Sequence, residues 1–165
     1  MITYPGIRIP QTMQAAVLDG ERQLQIENIP VWDIDSLNDR DLVLLRVDAS
    51  GICGTDLRIY NGENPWSQHT LGYHMPLHPR IVLGHEFSGV VVAVQTPEQE
   101  SLLGKRVVPM SAHACGQCRF CLTGRNNLCP NTRYLGYGIG WDDMDYAPGG
   151  YAEYCVAFAS ECHIL

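Results

Sequence analysis

The stretch "HACGQCRFCLTGRNNLCPN" holds Cys115, Cys118, Cys121 and Cys129, with gaps of two, two and seven residues. Thiols crowded in this way serve one of three chemistries: a disulfide cluster, an iron–sulfur centre or a closed metal site. A structural zinc takes four soft ligands in a tetrahedron, with Zn–S near ~2.3 Å, and cysteines on one irregular loop can wrap such an ion. Disulfides need an oxidising compartment, and the chain's seven cysteines are an odd number. The iron–sulfur reading is the sharper rival, because Cys-x2-Cys-x2-Cys followed later by Cys129-Pro130 echoes a ferredoxin run. Its last gap is seven residues rather than three, however, and no second run follows. Zinc is the favoured reading, and the other two stay open.

A second group lies upstream: Cys53 in "GICGTD", then His85 and Glu86 in "LGHEFSG". Taken singly, each has an ordinary structural explanation, since a buried cysteine packs as a small apolar residue. Together they make up the thiolate, imidazole and carboxylate of an open zinc site, with room left for water or substrate. Adjacent residues on a strand point to opposite faces. His85 and Glu86 therefore reach one ion only if the backbone bends, which Gly84 permits; otherwise Glu86 stands just behind the metal. Spacing alone leaves this balanced between a ligand set and unrelated structural residues.

Sixteen glycines and ten prolines point to short strands joined by turns rather than long helices. "MQAAVLDGERQLQIENIPV" reads as a β-hairpin turning at "DGE", its second strand running from Gln23 to Ile29. Leu42 to Ala49 reads as a stronger strand, and "GTDLRIYNG" as a turn or two of helix starting near Thr55 or Asp56. "RIVLGHEFSGVVVAV", "GKRVVPM" and "GGYAEYCVAFA" return to β, "CHIL" begins a further strand, and the cysteine stretch is a loop. About six short strands spaced by turns suggest a small barrel or sandwich. Residues 1–12 read as a loose extension, and residues 61–80 as a Gly-, Pro- and His-rich loop whose His69, His74 and His78 are solvated.

Hydrophobic content of 45% with 18% charged residues fits a soluble globular chain. A net charge of -7 with no basic run argues against a nucleic-acid partner. The start "MITYPGIRIPQ" is unlike a signal peptide, and no apolar run is long enough to span a membrane. The expected compartment is the cytoplasm.

"CGTD", then "GHEFSG", then the four-cysteine run, in that order, resemble the zinc-dependent medium-chain alcohol dehydrogenases. "MQAAVL", "GKRVV" and "GGYAEY" agree, and "CGTDLRIYNGENPWSQHT" looks most like the threonine and polyol dehydrogenase branch. The resemblance covers residues 13–165. It implies a mainly β, GroES-like catalytic domain: a partly open β-barrel with short helices and a zinc-binding loop. It implies a structural zinc on Cys115, Cys118, Cys121 and Cys129, and a catalytic zinc on Cys53 and His85. Glu86 matches the family's carboxylate, bound to metal in some states only. Thr55 matches the hydroxyl that relays the substrate proton, and Asp56 the acid that orients the ligand histidine. The implied substrate is a small alcohol or polyol, oxidised with NAD or NADP held by a separate Rossmann domain.

Several features depart from that pattern. The Rossmann half is not present in this sequence, and "GYGIGW", residues 136 to 141, is not its glycine fingerprint. The chain is therefore expected to be inactive alone and to form a homodimer through an uncovered apolar face. The family's remaining catalytic ligand is not reached. Arg58 stands where the family has a relay histidine, and Gln95 where it usually has a small residue. Cys155, Cys162 and His163 read as ordinary strand residues. The competing readings are a non-catalytic zinc module needing a partner chain and, more weakly, a co-chaperonin-like binding domain.

Overall fold

The computed structural model describes residues 1–37, 39, 41–65, 67, 72–73 and 75–165. His69 and His74 lie outside the described residues.

The hairpin forms as its sequence dictates. β2 (Thr12–Leu18) pairs antiparallel with β3 (Leu24–Pro30), Leu18 opposite Leu24. Gly20, at φ 97°, sits in the turn between them. β2 alternates, burying Met13, Ala15 and Val17. Its other edge takes the two-residue strand β5 (Ile81–Val82).

The larger sheet is built on β4 (Leu42–Ser50), whose first four residues are all buried. A continuous apolar start of this kind belongs to a strand covered on both faces. β4 lies between β10 (Tyr154–Phe158) and β6 (Phe87–Val94). The sheet then continues through β7 (Arg106–Pro109) to β11 (Cys162–Ile164). The pairing of β4 with β6 shifts register between Leu44 and Leu45 and again between Val47 and Ala49. Such bulges bend a sheet. A third, two-stranded unit pairs β8 (Ala112–His113) with β9 (Arg133–Tyr134) at either end of the cysteine loop.

The sheets are antiparallel and do not close into a full barrel, in keeping with the mainly β, GroES-like expectation. Their inner faces share one core that includes Leu44, Val92, Trp141, Val156 and Phe158. Burying a side chain of this size is worth about 1.5–3 kcal/mol.

Two expectations need correction. Residues 1–12 are not loose: β1 (Ile2–Thr3) pairs with β6 at Val94 and Ala93, and Tyr4 N–H donates to Val92 O at 2.8 Å. The stretch "RIVLGHEFSGVVVAV" is not one strand, because Leu83 to Glu86 leave the ladder between β5 and β6.

That break positions the chemistry. Ser50, the last residue of β4, pairs with Phe87, the first of β6, and Gly51 N–H donates to Glu86 O at 2.7 Å. The chain leaving β4 toward Cys53 and the chain entering β6 from His85 and Glu86 therefore meet at one sheet end.

Candidate metal centres

Cys53 is the N-cap of helix α1 (Gly54–Tyr60). Asp56, three residues on, completes the cap by accepting from Cys53 N–H at 2.8 Å. The Cys53 thiol contacts the Thr55 hydroxyl at 3.7 Å. The Thr55 backbone N–H, then its hydroxyl and then His85, lower the Cys53 pKa and favour thiolate.

His85 arrives from a turn at Gly84, where φ is +90° and an added Cβ would meet the Tyr151 ring at 2.5 Å. Asp56 ties this turn to the helix. It is 3% exposed, and its Oδ1 accepts from Gly84 N–H at 3.1 Å and faces His85 Nδ1 at 3.4 Å. Nδ1 is buried without a formed hydrogen bond, so the contact is chiefly electrostatic. With Nδ1 turned to Asp56, Nε2 is the nitrogen available to a ligand. Burial alone would lower the His85 pKa, but the nearby Asp56 carboxylate, and after it the Cys53 thiol, outweigh it and the pKa is raised. Burial likewise pushes Asp56 upward, yet His85 and the Cys53 N–H bring its pKa below the usual carboxylate value.

One donor atom from each of Cys53, His85 and Glu86 lies within 4.8 Å of the others, with Glu86 the exposed member. Thiolate, imidazole and carboxylate at this spacing fit a divalent ion with an open position. The backbone bend at Gly84 is what lets neighbouring His85 and Glu86 serve one point. Beside them lies an open groove of about 620 Å³, with Phe87, Val108, Pro109 and Met110 on its apolar wall.

The other four thiols also converge. Cys118 Sγ lies 3.5 Å from Cys121 Sγ and 3.9 Å from Cys129 Sγ, and Cys129 Sγ lies 3.5 Å from Cys115 Sγ. A tetrahedron with ~2.3 Å Zn–S bonds has sulfur–sulfur edges of about 3.8 Å, close to these separations. Disulfide sulfurs would be about 2.05 Å apart, and all four cysteines are free. A cubane iron–sulfur cluster binds each thiolate through a different iron and spreads the four much farther. The donor set therefore fits one tetrahedral ion.

The loop aims its backbone at the sulfurs. The N–H groups of Gln117 and Cys118 draw the Cys115 pKa down to about 6, and that of Cys121 lowers Cys118. Desolvation, then Cys118 and Cys129, push Cys121 up to about 12. Neighbouring thiolates repel without a cation between them, and their ionisations are driven apart.

Two tyrosines missed by the sequence reading join the first site. The "GYGIGW" stretch leads into no helix. Gly136 is there because an added Cβ would meet Gly84 O at 2.6 Å. The close approach lays the Tyr137 ring 4.8 Å from the His85 ring, with its phenol toward the Thr55 hydroxyl. The Tyr151 hydroxyl, from "GGYAEY", lies 3.0 Å from Asp56 Oδ2 and 3.1 Å from Gly51 O, and its single hydrogen is shared between these two acceptors. The available signal was a tyrosine directly beside a loop glycine, Tyr137 after Gly136 and Tyr151 after Gly150.

The remaining candidates have other partners. Arg58 pairs with Glu63 at 2.8 Å. The Gln95 side chain accepts from Leu42 N–H at 2.8 Å and donates to Asp39 O at 2.6 Å, a structural tie that a small residue could not make. Cys155 is buried in the core, and Cys162 and His163 lie on β11 outside both donor groups. His78 corrects the solvated reading, since its ring nitrogens contact Arg80 O and Met144 O, each at 2.9 Å. No helix among the described residues is long and apolar enough to cross a membrane.

Against known proteins, residues 39–165 match the family model described as the alcohol dehydrogenase GroES-like domain. The chain is 39% identical over 128 residues to a sorbitol dehydrogenase of Bacillus subtilis (strain 168), covering 77% of this chain and 33% of that protein. It is 38% identical over 134 residues to an L-threonine 3-dehydrogenase of Rhizobium johnstonii, covering 81% and 33%. Among solved structures it is similar to a zinc-binding dehydrogenase of Sinorhizobium meliloti 1021 bound to NADP, with TM-score 0.74 and 29% identity over 94% of this chain and 39% of that one. The chain spans about a third of the length of these curated relatives.

Proposed function

The chain belongs to the alcohol dehydrogenase GroES-like family, and on that premise we propose that it is the zinc-binding, substrate-side domain of an NAD(P)-dependent alcohol or polyol dehydrogenase. The observation that carries the reading is the convergence of Cys53, His85 and Glu86 donor atoms within 4.8 Å, with Asp56 behind His85. Zinc held there supplies Lewis acidity, which lowers the pKa of an alcohol hydroxyl.

The chain's own residues do the rest. The Cys53 thiolate and His85 Nε2 hold the ion, with Glu86 as a further ligand or a carboxylate standing off beside it. Asp56 fixes the His85 ring and offsets positive charge on it. The Thr55 hydroxyl, 3.7 Å from Cys53 Sγ, accepts the alcohol proton and hands it toward solvent. Tyr137 walls the site against water from the His85 side. Cys115, Cys118, Cys121 and Cys129 hold a second zinc that braces the loop between β8 and β9. The groove beside Glu86 admits the substrate.

Hydride transfer needs a nicotinamide held in near-attack geometry, an arrangement worth about 7–11 kcal/mol. The NADP bound by the Sinorhizobium relative makes a nicotinamide the expected acceptor. The chain by itself is read as binding alcohol without turning it over. The names of the relatives point to polyols and threonine as the substrates to try first. Metal-thiolate chemistry fits a reducing compartment, and we expect the cytoplasm, with neither nucleic acid nor membrane as a partner. A homodimer through an uncovered apolar face is the expected assembly.

Cobalt(II) substitution tests the reading, because an alcohol entering an open coordination position changes the ion's visible spectrum. Sorbitol, threonine or a simple alcohol should shift the bands of the Cys53-dependent ion, and no NADH should accumulate when NAD is added. Bands that respond to no alcohol would sink the proposal.

A further inference from the structure

We infer that Tyr151 is a positioning residue for the Cys53–His85 centre: its hydroxyl clasps Asp56 and the Gly51 carbonyl, locking together the two segments that carry the ligands. The inference rests on the metal reading above and deepens it.

Asp56 is the hub of the centre. Its two oxygens face three donors and one imidazole. Oδ2 accepts from Cys53 N–H at 2.8 Å and from the Tyr151 hydroxyl at 3.0 Å; Oδ1 accepts from Gly84 N–H at 3.1 Å and faces His85 Nδ1 at 3.4 Å. Two of these donors belong to the ligand-bearing segments themselves and move with them. Tyr151 is the donor that comes from elsewhere in the fold, and it supplies an external reference.

Tyr151 is itself fixed at both ends. Its backbone N–H donates to Leu83 O at 2.9 Å, its carbonyl accepts from Ala16 N–H at 2.8 Å, and Gly150 N–H donates to Gly84 O at 2.7 Å. Its ring lies where a Cβ on Gly84 would be, with Cδ1 at 2.5 Å from that position. The ring is thus held against the turn that delivers His85, and the hydroxyl cannot drift. From there it reaches Gly51 O at 3.1 Å, two residues before Cys53. One side chain thereby touches the Cys53 segment, the His85 turn and the carboxylate between them. A phenylalanine would keep the ring packing and lose only the clasp.

Partners one layer behind a metal ligand are typically worth 10–100-fold in affinity. Tyr151 acts through Asp56, one step farther out, so its loss should sit near the lower end. The experiment is a competitive zinc and cobalt(II) titration of the 165-residue chain, its Cys53→Ser variant and its Tyr151→Phe variant. The ion lost in Cys53→Ser identifies the site. Tyr151→Phe should bind that ion about tenfold more weakly and shift its cobalt spectrum, while the four-thiolate ion keeps its affinity. Val156→Ala, a control in the buried core and in neither donor group, should lower the melting temperature and change neither affinity nor spectrum. If Tyr151→Phe binds the Cys53-dependent ion as tightly as the parent with an unchanged spectrum, the inference is wrong and the proposed function stands. If the parent chain holds no ion that Cys53→Ser removes, the proposed function itself fails, and the inference with it.

Discussion

Asp56 and His85 decide how the metal-free site responds to pH. His85 has a raised pKa in the fold, so its contribution to stability is complete below its unfolded value, about 6.5, and is lost as pH rises through the raised value. Asp56 has a lowered pKa; its contribution is present above about 3.9 and is lost as pH falls through the lowered value. In chelator the pair should therefore stabilise the chain most between about pH 3.9 and 6.5 and weaken as pH rises through the raised His85 value. Urea midpoints of the parent should fall from pH 6 to pH 8, whereas Asp56→Asn should be less stable at pH 6, by roughly 1.5–3 kcal/mol for a lost charged hydrogen bond, and flatter across the range. Equal slopes for the two would contradict the assignment. At this scale the sequence was legible where residue type carries the chemistry, as at the cysteines. The Asp56 role came only through family resemblance, because a carboxylate at the third helix position reads first as a cap. Tyr137 and Tyr151 were not legible, since packing between distant segments makes their contacts.

Gly84 is the element on which the site turns. At φ +90°, with the Tyr151 ring 2.5 Å from where a Cβ would stand, it ends the ladder after β5 and re-aims the chain before β6. Gly84→Ala should cost about 1–3 kcal/mol from backbone strain, with a further penalty as Tyr151 is displaced. It should also weaken the Cys53-dependent ion more than the four-thiolate ion. Thermal melts and metal titration check both effects, and an unchanged Cys53-dependent affinity would show that the bend is incidental. The hairpin, β4 and α1 were readable because period-two alternation, an Asp-Gly turn and a continuous apolar run are local signals. β1 was not, because two residues carry no periodicity and its pairing partner lies far along the chain. The strand break at Gly84 was readable only as a permission, since glycine allows a bend without requiring one.

At the scale of the whole molecule, two donor groups are held by different means. The four-thiolate group lies within one loop and its spacing alone announces it. The Cys53–His85–Glu86 group exists only because the end of β4 meets the start of β6, and its donors come from two stretches about thirty residues apart in the sequence. The overall mainly β character followed from glycine and proline content, while the division into three sheets depended on long-range pairing that composition cannot encode. The central claim is that both groups hold zinc and that the scattered one is the catalytic centre. Zinc content of the purified chain and two variants tests it most directly. The parent should carry two zinc ions, Cys53→Ser should lose only the ion at the sheet end, and Cys118→Ser should lose only the ion in the loop. A parent chain with a single ion that Cys53→Ser leaves in place would contradict the account.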